Sequence, residues 1–356
     1  MSLIDRLKKA GSVKYSATLS ESKFFNEKDM IPTDVPIINM ALSGKIDGGL
    51  TPGLTFLAGP SKHYKSLLGL LMVKAYMKKY QDAVCLFYDS EFGITPEYIR
   101  ANDIDTDRVL HIPIEHIEQL KFDISKRLEE IQRGERVIVF IDSVGNLASK
   151  KEVEDALEEK AVADMSRAKA LKSLFRIITP HFTTKDIPCI VINHTYQEMG
   201  MFPKQIMSGG TGAAYSANQI FFISKAQEKD GTDLAGWTFT INIEKSRYVR
   251  EKSKFPFTVT FEGGINKWSG LLDIAMDLGY VKKPSNGWYS RVDMETGEIE
   301  EKRFREKDTN TAEFWKPILM NKQFHEDVKA RFMVGTTKLL SDDAIESDID
   351  EIMEEE

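Results

Sequence analysis

The chain has 356 residues, 42% of them apolar, enough for one large α/β domain with small appendages. The sequence shows no leader-like segment and no apolar run approaching about 18 residues, so the reading excludes a secreted or membrane-bound protein and expects a cytoplasmic one. The net charge of −7 argues at first against a nucleic-acid partner, and six His and two Cys without metal-ligand spacing give no reason to expect zinc.

Taken in chain order, Ser2 to Gly11 reads as one short helix. Ser2 and Asp5 suit its start, Lys8 and Lys9 its last turn, and Gly11 its stop. Leu3, Ile4 and Leu7 form an apolar stripe that must dock on something, because so short a helix is marginal alone. A polar stretch from Lys14 to Lys28 follows, broken by Phe24 and Phe25.

The apolar strand ending at Ala58 empties into Gly59-Pro60-Ser61-Lys62-His63-Tyr64-Lys65-Ser66, and an apolar helical run follows at once. That is the spacing of a phosphate-binding loop, with Tyr64 standing where a second glycine belongs. The parts that touch phosphate are present: a helix N-terminus with free N–H groups, the Lys65 charge, and a Ser66 hydroxyl able to ligate Mg2+. Tyr64 is expected to take helical φ/ψ in the first turn. The plain alternative is an ordinary strand-to-helix loop with a stray lysine.

Two further apolar strands end in carboxylates. One, near 83–88, runs into Asp89 and Glu91, and a carboxylate there can orient a water for attack on a terminal phosphate. The other, Arg136 to Ile141, ends in Asp142, which would face the same crevice as Lys65 beyond the carboxyl ends of a parallel sheet. Asp142 then sits where such sites hold magnesium, unless it only caps the next helix. The charged stretch Ala148 to Asp164 follows, with Lys150 and Lys151 at its head; it also reads as a plain solvated helix.

Cys189 to Asn193 forms another buried strand and ends at His194; Cys85 and Cys189 both read as buried, reduced thiols. Thr195 to Gly212 is then a long loop, and such loops are usually functional or disordered. It holds Met199, Met201, Phe202, Lys204, Ile206 and Met207 and closes on Gly209-Gly210-Thr211-Gly212. Apolar side chains there can wedge between bases, and glycine N–H groups can meet phosphates. Strands near 219–224, 238–245 and 257–262 read as antiparallel additions to a sheet whose first four strands (54–58, 83–88, 137–141, 189–193) are parallel. Residues 271–340 form a small C-terminal domain with a charged, hairpin-like stretch from Arg291 to Arg305. Residues 341–356 carry nine Asp and Glu and no Lys or Arg, leaving residues 1–340 at +2, so the acidic balance belongs to a stretch that reads as a disordered tail, either a competitor with DNA for basic sites in the body or a mere solubilising end.

Together these motifs resemble RecA-type strand-exchange recombinases, especially phage members of that family, over roughly residues 1–340. The resemblance implies a RecA-like P-loop ATPase core: an α/β fold with a central, mostly parallel sheet flanked by helices. It implies an N-terminal oligomerisation helix and linker (1–28), a core over 29–270, and a small C-terminal α/β domain (271–340) before the tail (341–356). ATP and Mg2+ are the implied cofactors, with Ser66 and Asp142 on the metal and Gly59, Pro60, Ser61, Lys62, His63, Tyr64, Lys65 and Ser66 around the phosphates. Glu91 matches the family's water-positioning Glu and Tyr98 its adenine-stacking Tyr; Thr95 stands where RecA has an Asp that reads the base. His194 occupies the place of a Gln that senses the γ-phosphate and signals to the DNA loop. Lys245 and Arg247 match two basic residues that reach a neighbour's nucleotide in trans; from the residues alone they read as solvated edge-strand charges. Lys150, Lys151, Met201, Phe202, Lys204, Gly209, Gly210, Thr211 and Gly212 fall in the two implied DNA loops. The implied partners are single-stranded DNA, double-stranded DNA, a homo-oligomeric helical filament, and single-strand-binding and mediator proteins, inside a bacterial host if the chain is phage-encoded. A ring helicase with the same core, or a scaffold that binds single-stranded DNA without turnover, are the rival classes.

Overall fold

The computed structural model describes residues 2–13, 16–22, 29–158, 166–198, 204–230, 233–261, 263–294 and 296–335. Phe24 and Phe25, the end of the 148–164 stretch, Met199, Met201, Phe202 and the acidic segment 341–356 lie outside the described residues.

Helix α1 (Leu3–Ala10) starts on a capping box in which the Ser2 hydroxyl accepts from the Asp5 N–H and the Asp5 carboxylate accepts from the Ser2 N–H. None of its residues is buried; Leu3 and Leu7 are 64% and 62% exposed, so the stripe docks on no described part of its own chain. Helix α2 (Pro36–Ser43) is buried throughout, opened by a proline and closed by Gly44 in the left-handed region.

The centre is a nine-stranded sheet. Its strands and helices run in the order β1 (Gly53–Ala58), α3 (Lys65–Lys79), β2 (Val84–Asp89), α4 (Pro96–Ala101), β3 (Val109–Pro113), α5 (Ile117–Glu130), β4 (Val137–Asp142), α6 (Lys150–Leu157), α7 (Ser166–Thr184) and β5 (Pro188–Asn193). A small hairpin of β6 (Thr195–Gln197) and β7 (Gln205–Met207) follows, then α8 (Thr211–Ser216) and the long strands β8 (Gln219–Asp230), β9 (Asp233–Ser246) and β10 (Lys254–Thr260), with β11 (Gly264–Ile265) at the edge. The spatial order is β11-β10-β9-β8-β1-β5-β4-β2-β3. The predicted parallel quartet is β1, β5, β4 and β2. Its strands are buried along nearly their whole length, as two-sided burial requires.

Three expectations are corrected. The 219–224 strand does not join the sheet as an antiparallel addition: β8 pairs parallel with β1, and the antiparallel pairings begin beyond it, β8 with β9, β9 with β10 and β10 with β11. A further parallel strand, β3, closes the edge beside β2; it is half exposed and too short for its pattern to stand out. The stretch from Thr195 to Gly212 is not one open loop. Its ends pair as β6 and β7, and Thr211 and Gly212 open α8.

Two apolar layers cover the sheet. α5 and α7 pack on one face with Phe56, Val139, Val191 and Phe175; α2 and α3 pack on the other with Leu57, Phe140 and Ile192. The C-terminal segment adds α9 (Leu271–Asp277), a three-stranded antiparallel sheet of β12 (Val281–Ser285), β13 (Trp288–Arg291) and β14 (Phe304–Arg305), and the helices α10 (Ala312–Met320) and α11 (Lys322–Phe332). It shares the second layer's core: Phe332 meets Phe255 at 5.0 Å, and Arg250 donates to the Ala330 and Met333 carbonyls.

Candidate active site

The parallel strands β1, β2, β4 and β5 all deliver their carboxyl ends to one crevice, the position a parallel sheet reserves for ligands. From β1 the chain passes Gly59 to Tyr64 and enters α3 at Lys65. No side chain caps α3, so its first-turn N–H groups face the loop as an anion site. Within the loop His63 Nδ1 meets the Ser61 carbonyl at 2.8 Å. Lys65 is 6% exposed, donates to the Pro60 carbonyl at 2.7 Å, and has its pKa lowered by burial.

Tyr64 departs from expectation. It is not in the first helical turn but takes φ 61°, ψ 13°, the left-handed region a glycine would enter without strain. Its ring compensates by packing on Phe239 at 5.2 Å and Phe257 at 6.0 Å, and burial pushes its hydroxyl up to about 12. Sequence spacing carries no sign of this aromatic nest, because both partners come from strands far along the chain.

Asp142 and Glu91 are two carboxylates with opposite fates. Asp142 is 4% exposed, and burial raises its pKa to about 6, opposed by the Ser66 hydroxyl. Its Oδ1 is buried with no hydrogen-bond partner. An orphaned carboxylate oxygen beside a serine hydroxyl fits the hard oxygen donors that Mg2+ selects. Glu91 is held on Oε1 by the Ser143 hydroxyl at 2.6 Å and by His194 Nε2 at 3.2 Å. The His194 hydrogen bond is the main cause that takes its pKa down to about 2.

The surroundings lock this pair together. The Ser143 N–H donates to Ser90 Oγ, and Ser90 Oγ donates to the Ser143 carbonyl. Asn193 Oδ1 accepts from the His194 N–H, while its Nδ2 donates to the Ser208 carbonyl in the hairpin. A Cβ on Gly145 would lie 2.3 Å from His194 Cδ2, so only glycine lets the β4 loop pass this close. Arg167 on α7 donates to the Val144, Gly145 and Leu147 carbonyls and to Ser208 Oγ, tying the β4 exit to the hairpin. Ser143, Asn193, Gly145, Arg167 and Ser208 were not singled out from the sequence; each is a common residue whose role exists only where two chain segments meet.

Tyr98, 38% exposed, lines a cleft of about 380 Å³ with Tyr64, Asn102, Gly263, Gly264 and Lys267, beside the phosphate loop. Thr95 is not on that lining; its hydroxyl caps α4 by accepting from the Tyr98 N–H.

The remaining candidates stand apart. Gln219 pairs with both Thr55 and Ser246, and Ile220 with both Phe56 and Lys245, so Lys245 lies two strands from β1 at the level of its middle, and Arg247 follows toward its amino end. Lys245 donates to the Ala214 carbonyl at 2.8 Å, and burial lowers its pKa; Arg247 is exposed. Lys150 and Lys151 head α6, each facing a carboxylate one turn on, Glu154 at 3.5 Å and Asp155 at 3.8 Å. Lys204 is exposed at the start of β7. Gly209 and Gly212 face α7 rather than solvent: a Cβ would meet Leu171 at 2.4 Å and Lys172 at 2.6 Å. Gly210 alone of the three is exposed.

A phosphate loop, a buried carboxylate and a water-facing carboxylate at the carboxyl ends of one parallel sheet define a P-loop nucleotide-binding core. Residues 5–266 match the RecA N-terminal domain, and residues 268–328 match the C-terminal domain described as "Bacteriophage T4, Recombination and repair protein". The chain is similar to the recombination and repair protein of Enterobacteria phage T4, 56% identical over 355 residues, 99% of this chain and 90% of the relative. It is 26% identical to the RecA protein of Salinispora tropica over 302 residues, 82% of this chain and 83% of the relative. For the RecA protein of Bifidobacterium breve the figures are 25% over 320 residues, 88% and 77%. The chain belongs to the RecA family, with the RecA-like core that its sequence led one to expect.

Proposed function

We propose that this chain is a DNA-dependent ATPase that coats single-stranded DNA as a helical filament and drives homologous pairing and strand exchange. The observation that carries the reading is Glu91. Both of its described hydrogen bonds fall on Oε1, and Oε2 remains as an acceptor for a water beside Lys65. A carboxylate held well below its ordinary pKa stays ionised and orients that water rather than storing its proton.

Lys65 and the α3 N-terminus receive the phosphates. Ser66 and Asp142 would hold Mg2+, which supplies charge neutralisation across the phosphates when bound. Tyr98 offers the base a stacking face. His194 joins Glu91 to the end of β5, and Asn193, Ser208 and Arg167 continue that connection to the hairpin before the glycine-rich turn. The placement of Lys245 near the end of β9 and of Arg247 just past it, two strands from β1, with Arg247 toward the amino end of β1 and exposed, supports action on a neighbour's nucleotide, which requires assembly. The exposed stripe of α1 supports the same assembly. The DNA-facing roles of Lys150, Lys151, Lys204 and Gly210 and of the segment between β6 and β7 belong to this proposal.

The test is a joint-molecule assay with homologous and heterologous duplex, run with ATPase measurements and electron microscopy on single-stranded DNA. Homology-dependent joints, DNA-stimulated turnover and helical filaments are expected. Closed rings with duplex unwinding would favour the helicase reading, and ATP binding without turnover would favour the scaffold.

A further inference from the structure

We propose that Asp89 and His111 form a second anchor for Glu91, holding its backbone while Ser143 and His194 hold its side chain. Asp89 ends β2 and is 2% exposed, yet it does not face the crevice as a ligand. Its Oδ1 accepts from the Glu91 N–H at 3.0 Å and from the Phe92 N–H at 2.8 Å, bending the chain so that Phe92 enters the left-handed region at φ 54°. Its Oδ2 faces His111 Nε2 at 3.1 Å. Asp89 is thereby a two-sided clamp, one oxygen on the loop and one on the sheet edge.

His111 sits on β3, in register with Phe87 of β2. Its ring is fixed by Phe87 at 5.4 Å and by Phe92 at 6.3 Å. The histidine is therefore held by the strand below Asp89 and by the loop residue beyond Glu91, and it closes a ring of contacts through Asp89, Glu91, Phe92 and back. Without His111 the buried Oδ2 loses its described side-chain partner, and the carboxylate gains freedom to rotate off the two N–H groups. The carboxylate that faces water would then be aimed by its side-chain contacts alone. A displacement near 1 Å can cost up to about 10²-fold in a positioned reaction. A partial loosening of one backbone anchor is expected to cost roughly tenfold.

His111 touches neither the crevice nor the phosphate loop, so it is a positioning residue for the Glu91 role proposed above and rests on that reading. The experiment measures DNA-stimulated ATP turnover and equilibrium ATP affinity for His111→Ala, His111→Gln and Asp89→Asn in the full chain. His111→Ala is expected to lower kcat about tenfold with ATP affinity within about twofold of wild type. His111→Gln places an amide N–H near the Nε2 position and is expected to restore kcat to within about threefold. Because His111 lies on the exposed sheet edge, these variants keep the test open if the buried Asp89→Asn fails to fold. Unchanged kcat in His111→Ala overturns the proposal. So does a loss that Gln does not restore, or a loss shared equally by kcat and ATP affinity, which marks a general loosening of the fold. Wild-type protein that turns over no ATP overturns the ATPase reading itself, and this inference with it.

Discussion

Two regions of the central sheet are built on opposite principles. At the carboxyl end of β1, β2, β4 and β5, every candidate residue is engaged: Lys65 on a carbonyl, Glu91 between Ser143 and His194, Asp142 beside Ser66. Around the end of β9, Lys245 rests on backbone carbonyls and Arg247 projects into solvent. The first region is preorganised within one chain, because donors held in place before substrate arrives need no rearrangement at the moment of reaction. In the second, Lys245 also feels the Glu251 carboxylate, and no salt bridge is described for Arg247, so this region carries cations without a described ligand-like partner. Under the proposed function, stacked copies would bring the Lys245–Arg247 region of one subunit to the nucleotide of the next.

The sharpest way to break that comparison is at Lys65. Lys65→Ala should drop DNA-stimulated turnover below detection, since Lys65 is buried at the head of α3 while Lys62, the loop's other lysine, is exposed; measurable turnover would mean that the crevice is not the catalytic end. The next largest effect is expected in the second region. Arg247→Ala and Lys245→Ala should each lower turnover on DNA by on the order of 10³ while leaving ATP affinity of isolated subunits intact. Mixing Lys65→Ala with Arg247→Ala subunits should recover activity, because a mixed interface carries one intact copy of each. Mixtures no better than either parent would place both regions' functions within one chain.

Glu91→Gln should keep ATP binding and slow turnover by about 10². Near-normal turnover would move the water-positioning role elsewhere.

A smaller effect separates the two carboxylates by pH. Asp142 has a folded pKa raised to about 6 by burial, so the stability it contributes is fully present below the ordinary value of 3.8 and is lost as pH rises through about 6. Mg2+ needs the ionised form. Mg2+-nucleotide affinity should therefore weaken as pH falls below about 6, approaching tenfold per unit from this group, and the dependence should be shallower in Asp142→Asn. Glu91 lies on the other side: its pKa is lowered to about 2, its contribution is present above the ordinary 4.5, and it is lost only as pH falls toward 2. Calorimetric titrations at several pH values with both proteins would detect an equal slope, which would remove Asp142 from the metal.

The smallest expected change concerns Tyr64. Tyr64→Ala keeps the left-handed strain and loses both ring contacts, which should destabilise by about 2 kcal/mol. Tyr64→Phe should be nearly neutral in thermal unfolding, as the rings and not the hydroxyl make the nest.

Much of the engaged end was legible in the chain itself. Mostly apolar runs leading to Gly59, Asp89, Asp142 and His194 name a parallel sheet and its ligand edge, since a strand buried on both faces carries few polar positions until it leaves the core. The capping box of α1 was equally readable, because its partners are three residues apart. The class of fold, the phosphate loop and the two carboxylates are therefore local features of the chain. What holds them comes from contacts across the fold. The Ser143 and His194 grip on Glu91, the Asp89–His111 pair, the glycine passage at Gly145 and the aromatic nest of Tyr64 join residues tens to hundreds of positions apart. So does the parallel placement of β8 beside β1, which sets where Lys245 and Arg247 fall along the sheet. Such contacts are set by sheet order and register, which pair segments across the fold, and a local pattern holds no record of which strand will become its neighbour.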